Sequence, residues 1–384
     1  MHIKYITNVR IPTSRAHGYA IMKMCSEFAK AGVKTSLFVP ARDNNQNKKD
    51  PFEFYKIEKN FKIEKIPSFD LLARTERFGK VFYWIDILSF LLSFKIKVKI
   101  NKDDILYTRD FVTASFFSKK NFIVLELHSI PKSKFLFNLA VKKVSKFVVL
   151  SSSIKNTLIS LGVQSQNILI SPSGVDLKNF EVQTNNPQNP KGYTFGMGDF
   201  VYGYIGTLKT MGMEKGVLDC LKALTFLPAN YKFLIVGGEE EDVEYYKKIS
   251  INWGVSEKVI FIGQVPQPEV SGFISFCDVL VAPYPQNKHY SLFMSPLKIF
   301  EYMASKKPII ATDLPTLREI LVDGENATLI SPENPKALAN AIIFIKENPD
   351  YAKRIREKAY EDVRDKYTWQ KRVENILSFI KNKI

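Results

Sequence analysis

The feature that most constrains this chain is an alternation repeated along its length. Short runs of β-branched and aromatic residues, each stopped by Gly, Pro or a small polar residue, are separated by stretches of helical period. In the second half the runs are YGYIG from Tyr202, KFLIVGG from Lys232, KVIFIG from Lys258, DVLVAPY from Asp278 and PIIAT from Pro308. The first half has HIKYIT, VKTSLFVP, DDILYT, NFIVLELH and KFVVLS, with the helical AIMKMCSEFAKAG closed by Gly32. Repetition of this kind builds parallel sheets covered by helices, and 384 residues are more than one core usually holds. Two α/β domains are expected, residues 1–178 and 201–365, joined across 179–200, where Asn, Gln, Pro and Gly replace any apolar period. The last segment, 366–384, carries Trp369, Val373, Ile376, Leu377 and Ile380 on one helical stripe.

With 45% apolar and 13% aromatic residues the chain can fill two cores, which excludes disorder as its main state. Cys25, Cys220 and Cys277 are far apart and lack a CxxC or Cys/His ligand spacing, so neither a disulfide framework nor a structural zinc site is expected. The opening MHIKYITNVRIP reads as a strand and has no leader pattern, which predicts a cytoplasmic chain. The longest apolar stretch, Val81 to Phe94, contains Asp86 and falls short of the roughly 20 residues a spanning helix needs. Charge is uneven. Residues 1–180 hold 30 Lys and Arg against 14 Asp and Glu, whereas residues 181–384 hold 25 of each. A one-sided field of this kind attracts nucleic acid, a phosphate-bearing acceptor or an acidic membrane surface, although a lysine-rich composition alone gives the same count.

The most specific local signal is SPLKIFEYMA, Ser295 to Ala304, lying between two expected strands. Ser295 as N-cap with Pro296 at the first helical position starts a helix here, leaving the N–H groups of Leu297 and Lys298 as an anion site suited to a diphosphate. Lys298 and Glu301 share one face, so a carboxylate stands one turn below, in reach of ribose hydroxyls; an ordinary ion pair accounts for the same spacing. After YGYIG, the segment GTLKTMGMEKG brings Gly206, Lys209 and Lys215 before a helix, and Gly237 follows another strand. In RAHGYA, the loop of Arg15, His17 and Gly18 precedes a helix. Glu126 and His128 end a strand two residues apart and so share a face at the sheet's carboxyl edge, where Arg109 adds positive charge. No P-loop, GxGxxG, HExxH, Ser/His/Asp order or calcium loop occurs, so the chemistry left is binding or transfer of something phosphorylated.

Taken in order, HGYAIMKMCSEFAKAG, ELH, ILISPSGVDLKNF, YIGTLKTMGMEKG, FIGQV and SPLKIFEYMASKKPIIAT with TLREIL resemble the retaining nucleotide-sugar glycosyltransferases of the GT-B fold, family 4, over nearly the whole chain. The resemblance implies two Rossmann-like domains facing across a cleft, the acceptor on the first and a UDP- or GDP-linked sugar donor on the second, with the C-terminal helix crossing back to the first. It implies that Lys215 holds the diphosphate, Glu301 the ribose and Val265 the base through its backbone. It likewise places His128 near the transferred sugar and Gly18 near the phosphates. Arg15, His17, Arg109 and Glu126 fall on the acceptor side. No metal and no further cofactor are called for, since lysines and a helix N-terminus can hold the diphosphate.

Two positions depart from the family pattern. The motif's first glutamate is Phe293 here, which puts the sugar's identity in doubt, and an arginine of the family is Thr207, which leaves Lys209, Lys215 and Lys298 to carry the diphosphate charge. These departures keep a non-catalytic binding homologue in view. The basic half keeps a nucleic-acid binder in view as well, but without any RNP, KH or helix-turn-helix signature no nucleic acid partner is expected. FYWIDILSFLLSF followed by KIKVKINK, and PKSKFLFNLAVKKVSKF, mix apolar residues with lysines as helices on an anionic membrane do, which suggests a lipid-linked or polysaccharide precursor as acceptor and a peripheral position on the membrane. Helices packed on their own sheet give the same pattern.

Overall fold

The computed structural model describes the chain apart from residues 14, 43–48, 72–78, 132, 182–194, 197, 267–268 and 382–384. It divides into two units, Met1–Ser171 together with Trp369–Ile384, and Pro172–Thr368.

The first unit is a seven-stranded parallel sheet in the order β3-β2-β1-β4-β5-β6-β7. Its strands are β1 (His2–Ile6), β2 (Lys34–Pro40), β3 (Lys62–Ile66), β4 (Asp104–Thr108), β5 (Phe122–Leu127), β6 (Lys146–Val149) and β7 (Ile168–Ile170). The central β4 and β5 are near-continuous apolar runs because helices cover both of their faces. The helices are α1 (Ala16–Lys30), α2 (Pro51–Tyr55), α3 (Gly79–Lys97), α4 (Phe111–Phe116), α5 (Lys134–Val141) and α6 (Ser152–Ser160). Asp50 and Asp110 accept backbone N–H groups at the starts of α2 and α4. The strand order reverses between β1 and β4, the place where sheets of this kind take their ligands.

The second unit begins with α7 (Lys178–Glu181) and has a six-stranded parallel sheet, β12-β11-β8-β13-β14-β15. The strands are β8 (Phe200–Ile205), β11 (Tyr231–Val236), β12 (Val259–Gly263), β13 (Val279–Ala282), β14 (Ile309–Thr312) and β15 (Thr328–Ile330). A two-stranded hairpin, β9 (Lys209–Thr210) and β10 (Met213–Glu214), follows β8. The helices are α8 (Val217–Ala223), α9 (Glu240–Asn252), α10 (Val270–Ser275), α11 (Lys288–Leu292), α12 (Leu297–Ala304), α13 (Pro315–Arg318), α14 (Pro335–Glu347) and α15 (Pro349–Lys366). Here the order reverses between β8 and β13.

The final helix, α16 (Trp369–Lys381), belongs to the first unit, as the crossing-back expectation required, and its five stripe residues are all buried. The boundary at 178 needs correction, because the second unit starts at Pro172. Val175 donates its N–H to the Tyr367 carbonyl at 3.0 Å, and Leu177 and Phe180 pack on the second unit's core, so apolar burial pulls this stretch away from the first sheet. Most of the expected linker, 179–200, lies outside the described residues.

Candidate functional site

In the second unit the carboxyl ends of the strands are laced by glycine backbone. Gly206 donates its N–H to the Val236 carbonyl at 2.8 Å, and Gly237 donates to Gly263 at 2.7 Å. Gly237 sits at φ +112°, and a Cβ there would meet the Gly206 carbonyl oxygen at 2.3 Å, so only glycine fits. Beside this edge, Lys298 of α12 runs under Gly206. A Cβ on Gly206 would stand 3.1 Å from its Cε and 3.3 Å from its Nζ. The Lys298 ammonium is buried, has no hydrogen-bond partner among the described residues, and lies 3.4 Å from the ring centre of Tyr204 and 5.5 Å from that of Tyr284. Burial and the charge of Lys215 hold its pKa well below the usual lysine value.

Lys215 donates to Thr207 Oγ1 at 2.6 Å, and burial lowers its pKa to about 8. The residue where the family has arginine therefore fixes the lysine that the resemblance assigns to the diphosphate. His289 of α11, which sequence reasoning passed over, is close enough to Lys215 for its pKa to fall by burial first and then by that charge. Glu301, three residues beyond Lys298, is half-buried and still acts on Lys298 through its charge.

Two sequence expectations change here. Ser295 is not the N-cap: Pro296 holds that place with extended backbone, α12 starts at Leu297, and the Ser295 hydroxyl instead accepts the Ser173 N–H at 3.0 Å. Lys209 is engaged by Asp242 at 2.6 Å and packs over Tyr245. The start of α8 is occupied by Glu214, which accepts from the N–H groups of Gly216 at 2.5 Å and Leu218 at 3.1 Å. Phe293 is the residue that ends α11. Val265, two residues past β12, packs partly buried against the unit's core.

Gly216 has the tightest constraint. At φ +88°, a Cβ would fall 1.7 Å from the Pro283 carbonyl oxygen. Gly216→Ala should destabilise the second unit by about 2 to 5 kcal/mol, summing left-handed strain and overpacking. A denaturation midpoint unchanged from wild type would refute the close approach.

In the first unit the wholly buried Glu126 gathers its neighbours. Its Oε1 accepts from Arg109 at 2.6 Å, His128 Nε2 at 2.7 Å and Arg372 of α16 at 3.1 Å; its Oε2 accepts from the Tyr107 hydroxyl and from Arg372 at 3.4 Å. Strand alternation did put Glu126 and His128 on one face. It also predicted both at the open edge, and that is corrected: Glu126 lies beneath His128, because two guanidiniums and a phenol satisfy its charge away from water. Those cations keep its carboxyl far below the usual range. His128 is half-buried, and desolvation followed by Arg109 pushes its pKa down to about 4 despite Glu126. At neutral pH its Nε2–H donates to Glu126, and Nδ1 is left as an acceptor.

His17, half-buried, also feels Arg109, and its pKa falls through burial and that charge. Arg15 is exposed at the N-cap of α1. Gly18 lies inside α1 rather than in a loop before it, where a Cβ would meet the Tyr55 hydroxyl at 2.3 Å. That hydroxyl donates to the Thr13 carbonyl at 2.7 Å, so close packing accounts for the glycine. Sequence reasoning missed Tyr107 and Arg372, since neither carries a local motif.

Residues 186–362 match the family model described as glycosyl transferases group 1. This stretch of the chain is thus similar to the group 1 glycosyl transferases. An uncharacterized glycosyltransferase of Methanocaldococcus jannaschii is 25% identical over 243 residues, covering 62% of this chain and 59% of that protein. The phosphatidyl-myo-inositol mannosyltransferase of Mycobacterium leprae is 29% identical over 155 residues, 40% of this chain and 37% of that one. The matches thus span less than two thirds of these curated relatives. Among solved structures, Anabaena HepE in complex with UDP and glucose superposes with a TM-score of 0.74 at 16% identity over 100% of both chains. Sucrose-phosphate synthase from Thermosynechococcus elongatus gives 0.75 at 18%, covering 99% of this chain and 98% of that one. At these identities the likeness is one of fold, two α/β domains with parallel sheets. The matched stretch, 186–362, holds the whole Lys215, Thr207 and Lys298 arrangement.

Proposed function

We propose that the protein is a retaining glycosyltransferase that moves a sugar from a UDP- or GDP-linked donor to a glycan or lipid-linked acceptor. The observation that carries this reading is Lys298, a buried ammonium without a hydrogen-bond partner, next to a second lysine of lowered pKa, at the strand ends where a parallel sheet takes its ligand. Two lysines side by side at that edge suit a diphosphate. We assign Lys215, Lys298 and the first N–H groups of α12 to it, with Pro296 and Leu297 setting the helix start and Gly206, Thr207 and Gly237 permitting close approach. Glu301 takes the ribose and the backbone of Val265 the base. Lys209, tied to Asp242, fixes the hairpin.

The acceptor is assigned to the first unit, with Arg15, His17 and Arg109 as its cations and His128, steadied by Glu126, serving the transferred sugar. In the step itself the bond from the anomeric carbon to the diphosphate oxygen breaks and the bond to the acceptor oxygen forms on the same face. The acceptor's proton passes to the departing diphosphate. The lysines stabilise the charge that develops on that leaving group. Relatives named as mannosyltransferases and a fold neighbour solved with UDP support the class of reaction. A lipid-linked acceptor further suggests work at an anionic membrane surface.

The reading is tested by the melting temperature of the full chain with UDP, GDP, ADP and CMP, each with and without magnesium. One nucleoside diphosphate should stabilise selectively by mass action; no shift with any of them would overturn the donor assignment.

A further inference from the structure

Five large apolar side chains on α3, Val81, Ile85, Leu88, Leu92 and Ile96, are exposed, the last at 84%. Their spacing of four, three, four and four places them on one stripe of the helix. The opposite side is anchored by Ile87, Phe90, Leu91 and Phe94, all buried. A second helix repeats the arrangement. On α5, Phe135 is 80% exposed and Leu139, one turn on, is exposed, while Phe137 and Ala140 are buried. The two helices lie in one layer: Phe94 of α3 packs edge-on against Phe117 at 5.7 Å, Lys95 stands over Phe116 of α4, and Phe111 of α4 meets Phe137 of α5 at 6.2 Å. Right-handed crossovers put α3, α4 and α5 on the same face of the sheet, since the chain reverses direction after β3.

Charge around this face is mostly positive. Between residues 79 and 146 the acidic residues are Asp86, Asp104 and Glu126, all buried, Asp110, half-buried as the N-cap of α4, and Asp103, exposed past the end of α3. Lys95, Lys97, Lys99, Lys119, Lys120 and Lys134 are all exposed around the apolar stripe. A second copy of this chain would bring six exposed lysines against six with Asp103 as the one exposed carboxylate on each copy between residues 79 and 146 to relieve them, so the charge argues against self-association. No described helix is long and apolar enough to cross a membrane.

We propose that the α3–α5 face docks the protein on the surface of an anionic phospholipid bilayer, the α3 stripe and Phe135 entering the acyl boundary while the lysines meet headgroup phosphates. The purpose of this docking rests on the glycosyltransferase reading, but the docking itself requires no turnover.

The full chain is mixed at low ionic strength with phosphatidylcholine vesicles with and without phosphatidylglycerol, and bound protein is measured by flotation. Wild type should float with the anionic vesicles only and lose binding as salt is raised. Leu88→Gln with Leu92→Gln should lower partitioning about tenfold or more, from lost apolar burial. Lys95→Gln, Lys97→Gln and Lys99→Gln together should abolish the preference for phosphatidylglycerol. Stabilisation by nucleotide, measured on every variant, reports that each is folded and tests the donor reading separately. Failure of the wild type to float, or equal floating of all variants, overturns the proposal. A wild-type dimer that the Leu88 and Leu92 changes turn into a monomer would overturn it in favour of a self-interface.

Discussion

Lys298→Met should remove nucleotide-dependent stabilisation and cut sugar transfer by about 10²- to 10³-fold, the usual effect of losing one electrostatic contact to a developing anion, while leaving the melting temperature of the free protein unchanged or higher. The two halves of this result have one cause. An ammonium buried without a hydrogen-bond partner is unfavourable in the empty protein, and methionine fills much of the same volume without charge. Lys215→Met should lose transfer to a similar extent. Full nucleotide response in the Lys298 variant would remove it from the site. The lowered pKa values add a pH signature. A lysine whose folded value lies below its unfolded value makes the unfolded chain bind more protons in the interval between them, so stability rises with pH across it. Diphosphate reverses the preference by favouring the charged amine, so binding takes up protons. Affinity should fall as pH rises above about 8, the value to which Lys215 is lowered, by up to about tenfold per unit for each proton taken up. Calorimetry in buffers of different ionisation heat measures that uptake, and its absence would separate both lysines from the ligand.

Glu126→Gln should have the largest effect on stability. It leaves Arg109 and Arg372 facing each other around a neutral amide in a site closed to water, which for a buried ion cluster that loses one member costs about 3 to 5 kcal/mol. For a unit of this size that corresponds to a fall in melting temperature of about 6 to 20 °C. Arg372→Met made together with Glu126→Gln should cost less than the two separate losses added, because the residues share one network. Strict additivity, or a loss under about 1 kcal/mol, would mean that the cluster is not a cooperative unit. Glu126 sets the pH trend as well. A carboxyl depressed on folding contributes fully above its unfolded value and loses that contribution as pH falls through the folded one, so acid should weaken the first unit.

Both sheets were readable from the sequence because their central strands are continuous apolar runs, and each of the ten runs named in advance contains a strand. The edges were not. In β3, KIEKI carries charge at three of five positions and reads as surface, as suits an edge strand that must avoid pairing with other chains. The three-residue β15 offers too little to show a period. At the candidate site, Lys215, Thr207 and Lys298 could be named because they belong to local segments. Their mutual placement depends on β8, the hairpin and α12 converging, which no spacing reveals. Ser295 shows the limit of local rules: Ser followed by Pro is a sound helix start, yet the hydroxyl accepts a backbone N–H from Ser173 and the helix starts one residue later. Glu126 and His128 were legible as a pair, but the depth of Glu126 depends on an arginine 246 residues further on.

That last dependence has a consequence for synthesis. Arg372 completes the Glu126 cluster and bonds the Ser171 carbonyl and Met24, so the first unit is finished by residues made after the entire second unit. At about 5 to 20 residues per second, about 12 to 50 s separate the emergence of the two partners. During that interval the nascent first sheet holds a carboxylate short of one of its cations and an α1 without α16 beside it. The second unit is continuous in sequence and can mature on the ribosome ahead of it. A chaperone that binds early chains of this protein should therefore favour the segment made first, and the emergence of α16, rather than completion of the first half, should be the event that closes it.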